Sequence, residues 1–225
     1  MTSVLNPRSL RGAIVALDLK TSKQTTIIFQ YYPNGGNLLS RQLNPAQSGG
    51  NDNNYRQVAS YYTGAPTETI DVSVSIDATD ALVTGDTSAS TLGIYPQLCA
   101  LEMLVYPQSQ QVMEYDKLLA KGQMETGGNY SAPLTLLVWG QQRVLPVQLT
   151  SLDIRESVFD TQLNPIQVEV GLKMKTLSYS DLAPSHKGYS LFVAYQKNKE
   201  RQATQGATSG NMNDILGVDV TSRLR

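Results

Sequence analysis

Apolar and polar residues alternate strictly over two stretches of the chain. Ile70, Val72, Val74 and Ile76 alternate with Asp71, Ser73, Ser75 and Asp77, the period of a strand with one side in a core and one in a polar medium. Ile166, Val168, Val170, Leu172 and Met174 alternate with Gln167, Glu169, Gly171, Lys173 and Lys175, so a second, longer strand turns a charged face to water, a pore or a polar neighbour. Residues 13–19 and 25–32 are rich in β-branched and aromatic side chains, and Lys20, Thr21, Ser22 and Lys23 between them predict a hairpin. An apolar run at 134–139 stops at Gly140, Gln141 and Gln142. The pattern then resumes over 143–158 with Val147 and Leu149 on one phase and Leu152 and Ile154 on the other, a slip that predicts a β-bulge near Thr150 or Ser151. Residues 160–165 read Asp-Thr-Gln-Leu-Asn-Pro, turn chemistry that joins the flanking strands into one long hairpin over 143–177. Pro146 predicts an edge or bulge position in its first arm.

Two helices interrupt the strands. Residues 95–106 carry Pro96 in the first turn and stop at Pro107, with Leu98, Leu101, Met103, Leu104 and Val105 as apolar positions. Residues 190–202 begin with Leu191, Val193, Ala194 and Tyr195 and end in the solvated Lys197, Lys199, Glu200 and Arg201. Residues 44–66 form a long loop of Asn, Gln, Gly and Ser with Tyr55, Tyr61 and Tyr62. The expected fold is mainly β, about eight strands in a barrel or sandwich with one or two flanking helices and a long protruding hairpin. Residues 1–202 form one domain, and 203–225 form a polar C-terminal tail that a partner orders.

Charge and composition narrow the function. The 18 basic and 19 acidic residues leave a net charge of −1, and the basic residues are scattered, so no field for a nucleic-acid backbone is expected. Apolar runs are far shorter than the roughly 20 residues that span a bilayer, and synthesis in the cytoplasm without membrane insertion is expected. One Cys and one His exclude an internal disulfide and the usual His/Cys metal sets. His186 reads as a loop histidine and Cys99 as a small hydrophobe on the first helix. Asp77, Asp80 and Asp86 are the densest carboxylates, a conceivable calcium or acid/base site, but Asp beside Thr at a strand end is ordinary capping chemistry. Gly35, Gly36, Gly127 and Gly128 fall into no phosphate-binding motif. No enzyme, metal or cofactor is expected.

Five ordered blocks carry a resemblance: TIIFQYYP from Thr26, ETIDVSVSIDATD from Glu68, YPQLCALEMLVYPQ from Tyr95, PLTLLVWGQQRVLP from Pro133 and DTQLNPI from Asp160. Together they resemble the tube-initiator or baseplate-adaptor proteins of contractile injection systems, which are phage-tail-like particles. The resemblance runs from about residue 12 to residue 196, strongest at Trp139 to Pro146 and at the Leu-Asn-Pro-Ile turn. It implies a fold similar to phage tail-tube proteins and a homohexameric ring between the inner tube and the spike or hub, among other baseplate components. It implies no bond chemistry. The small LysM module that often ends such proteins has no counterpart in the short tail after Gln202, so peptidoglycan binding is not carried over. On this basis Arg143, Asp160, Asn164, Pro165, Glu169, Lys173 and Lys175 are the expected inter-subunit contacts, with 160–165 as the tip that meets the next ring. The resemblance implies a particle that is cytoplasmic, membrane-anchored or released, without choosing among the three. Two other readings compete: a glycan- or peptidoglycan-binding β-module built on Tyr55, Tyr61 and Tyr62, and a hydrolase using Asp77 and Asp80.

Overall fold

The computed structural model describes residues 11–19, 22–30, 37–43, 62–123 and 132–206. Among these residues the chain is mainly β, with seven strands: β1 Arg11–Leu17, β2 Gln24–Gln30, β3 Asn37–Gln42, β4 Thr67–Asp77, β5 Leu134–Val138, β6 Val144–Phe159 and β7 Pro165–Thr176. Five described helices accompany them: α1 Thr79–Val83, α2 Thr87–Leu92, α3 Tyr95–Glu102, α4 Ser109–Ala120 and α5 Lys187–Gly206. The strands form one antiparallel sheet in the order β2-β1-β5-β6-β7-β4-β3. Its two ends approach, but β2 and β4 share a single register pair, Gln30 with Ser75. The expected barrel is therefore not closed. The reason lies in β3, which already holds the outer edge of β4 from Thr67 to Val72.

The predicted alternation sets the core. Ile70, Val72, Val74 and Ile76 lie directly across from Met174, Leu172, Val170 and Val168, and all eight are buried. Each such side chain contributes roughly 1.5–3 kcal/mol by leaving water. The next row is Leu149, Leu152 and Ile154 of β6, opposite Met174, Leu172 and Val170. Three steps on β6 match two on β7 there, so the expected bulge falls between Leu149 and Ser151. It keeps odd-numbered Leu149 and even-numbered Leu152 on one face. On the other side Ile14, Ile27 and Phe29 are buried, with the Phe29 ring 6.2 Å from that of Trp139.

Pro146 corrects the edge expectation. It pairs with Leu136 on an interior strand, yet its carbonyl accepts from the Leu177 N–H at 2.8 Å, one residue past the last β6–β7 pair, Val147 with Thr176. A strand residue points its N and O to the same side, so the missing N–H falls where that ladder has just ended.

The helices exceed the two expected. α1 and α2 arise from capping: Asp77 Oδ1 accepts from the Thr79 N–H and hydroxyl, and Asp86 Oδ1 accepts from the N–H groups of Ser88 and Ala89 at 2.8 and 3.1 Å. α3 ends at Glu102 in turns rather than reaching Tyr106. α5 begins earlier and runs four residues past Gln202. It buries Gly188, Phe192 and Tyr195, spaced i, i+4, i+7 as one helical face requires, whereas Ala194 is exposed. Most of the loop at 44–66 and the tail beyond residue 206 lie outside the described residues.

Gly93 links this helical segment to the hairpin. Its φ is +59°, and a Cβ there would stand 2.1 Å from the Pro165 carbonyl oxygen. Gly93→Ala combines left-handed strain with a backbone clash, for an expected loss of about 2–5 kcal/mol, measurable as a lowered midpoint in urea unfolding.

Candidate assembly surface

The solvent face of β4, β7 and β6 is a ladder of charged and hydroxyl side chains. Lys173 lies across from Asp71 and Ser151, Gly171 across from Ser73 and Asp153, and Glu169 across from Ser75 and Arg155. Ser73 donates its hydroxyl to Glu169 Oε1 at 2.7 Å, Ser151 donates to Asp153 Oδ2 at 3.1 Å, and Lys173 Nζ is 3.9 Å from Asp71 Oδ2. Gly171 floors a shallow groove of about 510 Å³ walled by Ser73, Asp153, Arg155 and Glu169. At the far end Lys175 pairs with Asp181 at 2.6 Å. Partial burial pushes the Asp181 carboxyl up, but the Lys175 ammonium and the N–H and hydroxyl of Ser178 outweigh it and hold the pKa below its ordinary value. Both signs of charge thus occur on this face beside partners of the opposite sign.

The edge of this ladder is open. β5 pairs with β6 only from Val144 to Val147, and among the described residues no strand pairs with the outer side of β6 from 148 to 159. Among the described residues β3 likewise has β4 on one side only.

The hairpin tip is an Asx-type knot. Asp160 Oδ1 accepts from the N–H groups of Gln162 and Asn164 at 2.7 and 2.8 Å, and Oδ2 accepts from Asn164 Nδ2 at 2.8 Å. These bonds, led by the Asn164 side chain, hold the Asp160 carboxyl below the usual range. Asn164 Nδ2 also donates to the Thr91 carbonyl at 3.1 Å, and the buried Pro165 gives its carbonyl to the Ile94 N–H at 2.9 Å. Two of the expected contact residues, Asn164 and Pro165, therefore bind the chain's own helical segment. The tip residue that faces out is Leu163, 78% exposed at φ +65°, a strained conformation for a non-glycine residue that nothing in the sequence announces.

At the opposite end of the hairpin, α5 covers an ionic cluster. Glu68 is buried and pairs with Arg41 at 3.0 Å, and Lys199 Nζ sits 4.3 Å above the Tyr195 ring. Burial pushes the Tyr195 phenol up, the Glu68 charge adding to it, and burial lowers the Lys199 ammonium. Arg143, expected as a contact residue, is exposed beside this cluster, its carbonyl accepting from the Trp139 N–H at 2.7 Å. Glu68 was legible in part, because it continues the even-numbered core phase of β4.

Asp77 and Asp86 cap helices, His186 Nδ1 accepts from the Gly188 N–H at 3.1 Å at the start of α5, and Cys99 is a half-buried free thiol. Tyr62 is exposed, while Tyr55, Tyr61 and the Asp80 side chain lie outside the described residues, as do Gly35, Gly36, Gly127 and Gly128. Among the described residues no three His, Cys, Asp or Glu side chains gather as metal ligands, and no helix is long and apolar enough to cross a membrane. Neither a scan against protein-family models nor a search of curated proteins finds a match for this chain.

Two variants test these interactions. Glu68→Gln should cost about 1–3 kcal/mol, discounted because the Arg41 side chain is half exposed, whereas Asp71→Asn on the open ladder should cost less than about 0.5 kcal/mol; thermal melts of both at neutral pH decide. Because the folded Asp181 pKa is lowered from 3.8, its stabilisation is complete above that value and fades as pH falls through the folded pKa. Asp181→Asn should therefore be less stable than the parent at pH 7, and the gap should narrow at pH 2.5.

Proposed function

We propose that this chain is a structural ring subunit of a contractile injection system, a phage-tail-like particle, in which it initiates the inner tube and adapts it to the spike or hub at the baseplate. One observation carries the reading. Among the described residues, the run β3-β4-β7-β6 has one face of opposed charges and an unpaired edge at each end, β3 on one side and the outer half of β6 on the other. Unpaired edges invite another chain. When the β6 edge of one copy meets the β3 edge of the next, the contact is heterologous and closes into a ring if the rotation allows. The joined strands then make a barrel whose polar faces turn to the lumen. Six copies would contribute more strands than the roughly 16–18 that already enclose an aqueous channel.

The two ends of the hairpin supply the two faces of such a ring. Thr161, Gln162 and Leu163 are exposed at one end and Arg143 at the other, about 50 Å apart along a sixteen-residue strand. Glu169, Lys173 and Lys175 belong to the lumen in this arrangement rather than to a subunit contact. Leu163, held in an unfavourable backbone conformation and open to solvent, is the tip residue best placed to meet the next layer. The opposed charges on the lumen face keep it wetted without a strong potential of either sign.

The test is electron microscopy of the chain co-expressed with its neighbouring tube and hub proteins. A sixfold layer between tube and spike is expected, and Leu163→Gly, which relieves the left-handed strain, should leave the fold intact while lowering tube seeding at least tenfold. A chain that stays monomeric and is absent from every particle overturns the reading.

A further inference from the structure

Two elements each carry a carboxylate where their own pattern calls for something else. On β6 the core-facing row reads Leu152, Ile154, Glu156, and Glu156 stands opposite the fully buried Val168. On α3, Tyr95, Leu98 and Glu102 follow one another at i, i+3 and i+7 down one side. Glu102 is also the last residue of that helix, and its last turn holds no basic residue. The carbonyl end of a helix favours a cation and disfavours a negative charge.

Both carboxylates face one groove of about 450 Å³, lined by Tyr95, Leu98 and Glu102 of α3 and by Ile154, Glu156 and Phe159 of β6. Leu98 is buried at its floor, Tyr95 and Phe159 are 54% and 44% exposed at its walls, and both glutamates are exposed. Phe159 pairs with Pro165, whose carbonyl accepts from the N–H of Ile94, the residue before Tyr95, so the two rings stand at the tip end of the groove. Glu102 lies about 10 Å further along α3. Among the described residues that line the groove none is basic, and among the described residues neither glutamate side chain has an ion pair or hydrogen bond. Arg155, the nearest arginine in sequence, lies across from Glu169 on the other face of the strand.

The sign and the shape of the groove select its occupant. Two carboxylates beside an apolar floor repel one another, and a cation between them turns both interactions favourable. Exposed aromatic faces attract the same kind of group. A guanidinium fits better than an ammonium: its planar fork meets a carboxylate with two N–H groups and lies flat on a ring, while its aliphatic stem covers apolar surface such as Leu98 and Ile154. A bare metal ion would find two acidic side chains here and no third. The groove is also longer than one side chain, and its aromatic end is left for an apolar neighbour of the arginine.

We infer that this groove binds an arginine side chain presented by an extended segment of a partner protein, with the guanidinium between Glu102 and Glu156 and an adjacent apolar residue against Tyr95 and Phe159. The site needs only the groove, and it stands or falls apart from the ring reading.

The test is calorimetric titration of the full chain with the capped peptide Ala-Leu-Arg-Leu-Ala, with the ring resonances of Tyr95 and Phe159 followed by NMR. Saturable binding that shifts both rings is expected. The same peptide with citrulline, the neutral analogue of arginine, should bind at least tenfold more weakly, a comparison made on the unaltered protein. Glu102→Gln with Glu156→Gln should also weaken binding at least tenfold at an unchanged urea midpoint, because both side chains are exposed, and Asp71→Asn on the polar face should leave it within twofold. Four results would each overturn the inference: no saturation or ring shift up to about 5 mM peptide, citrulline and arginine peptides bound equally, an unimpaired double Gln variant, or a doubled mass in which a second copy of this chain already occupies the groove.

Discussion

One extra residue in β6 decides which of its side chains the core receives. Between Leu149 and Leu152 the strand takes three steps while β7 takes two, and a strand's faces exchange at every step. With a regular ladder, Asp153 and Arg155 would turn onto Val170 and Val168, and Leu152 and Ile154 would turn to solvent. Burying an unpaired charge against such a surface costs far more than one lost pair of backbone bonds. The facing of β6 from Leu152 to Glu156 and the polar face beside it therefore follow from the bulge.

The same register explains why a face so rich in charge can be held still. Lys173, Glu169 and Arg155 each have a neighbour of opposite sign or a hydroxyl directly across, so the ladder needs no deep burial to stay ordered. The ionic cluster under α5 is built differently. Glu68, Arg41, Tyr195 and Lys199 are brought together by three elements, and their worth depends on the helix excluding water from them. One surface is suited to contact with solvent or a lumen and the other to locking a helix, although both are made of similar residue types.

Much of the sheet was legible because period-two patterning is strong where one face is buried and the other is polar. β4, β7 and the bulge declare themselves this way, whereas the β1–β2 hairpin shows in its β-branched and aromatic content and the turn at 160–165 in its Asp, Asn and Pro. β3 does not: in Asn-Leu-Leu-Ser-Arg-Gln only Leu39 is half-buried among the positions whose burial is described, too few to set a period. α1 and α2 are short and arise from two capping aspartates, which local composition presents as ordinary strand ends. α4 buries no residue fully, so no core-facing stripe sets it apart. On the polar face, the charged residues of β7 were legible from alternation, whereas the positive φ at Leu163 has no sequence signal and the recruitment of Pro165 by Ile94 depends on a contact between segments some seventy residues apart.

The bond from the Ile94 N–H to the Pro165 carbonyl has a mechanical consequence. Backbone bonds in the β6–β7 ladder lie across the strand direction, so a load applied along the hairpin strains them together in shear rather than peeling them one by one. A free tip would let such a load begin by fraying the turn. Here the turn is closed by Asp160 and moored at Pro165 to the helix that buries Leu98 and Leu101, so axial force entering at the tip reaches the core along two routes. The hairpin behaves less as a flexible arm than as a stiff strut braced at its outer end.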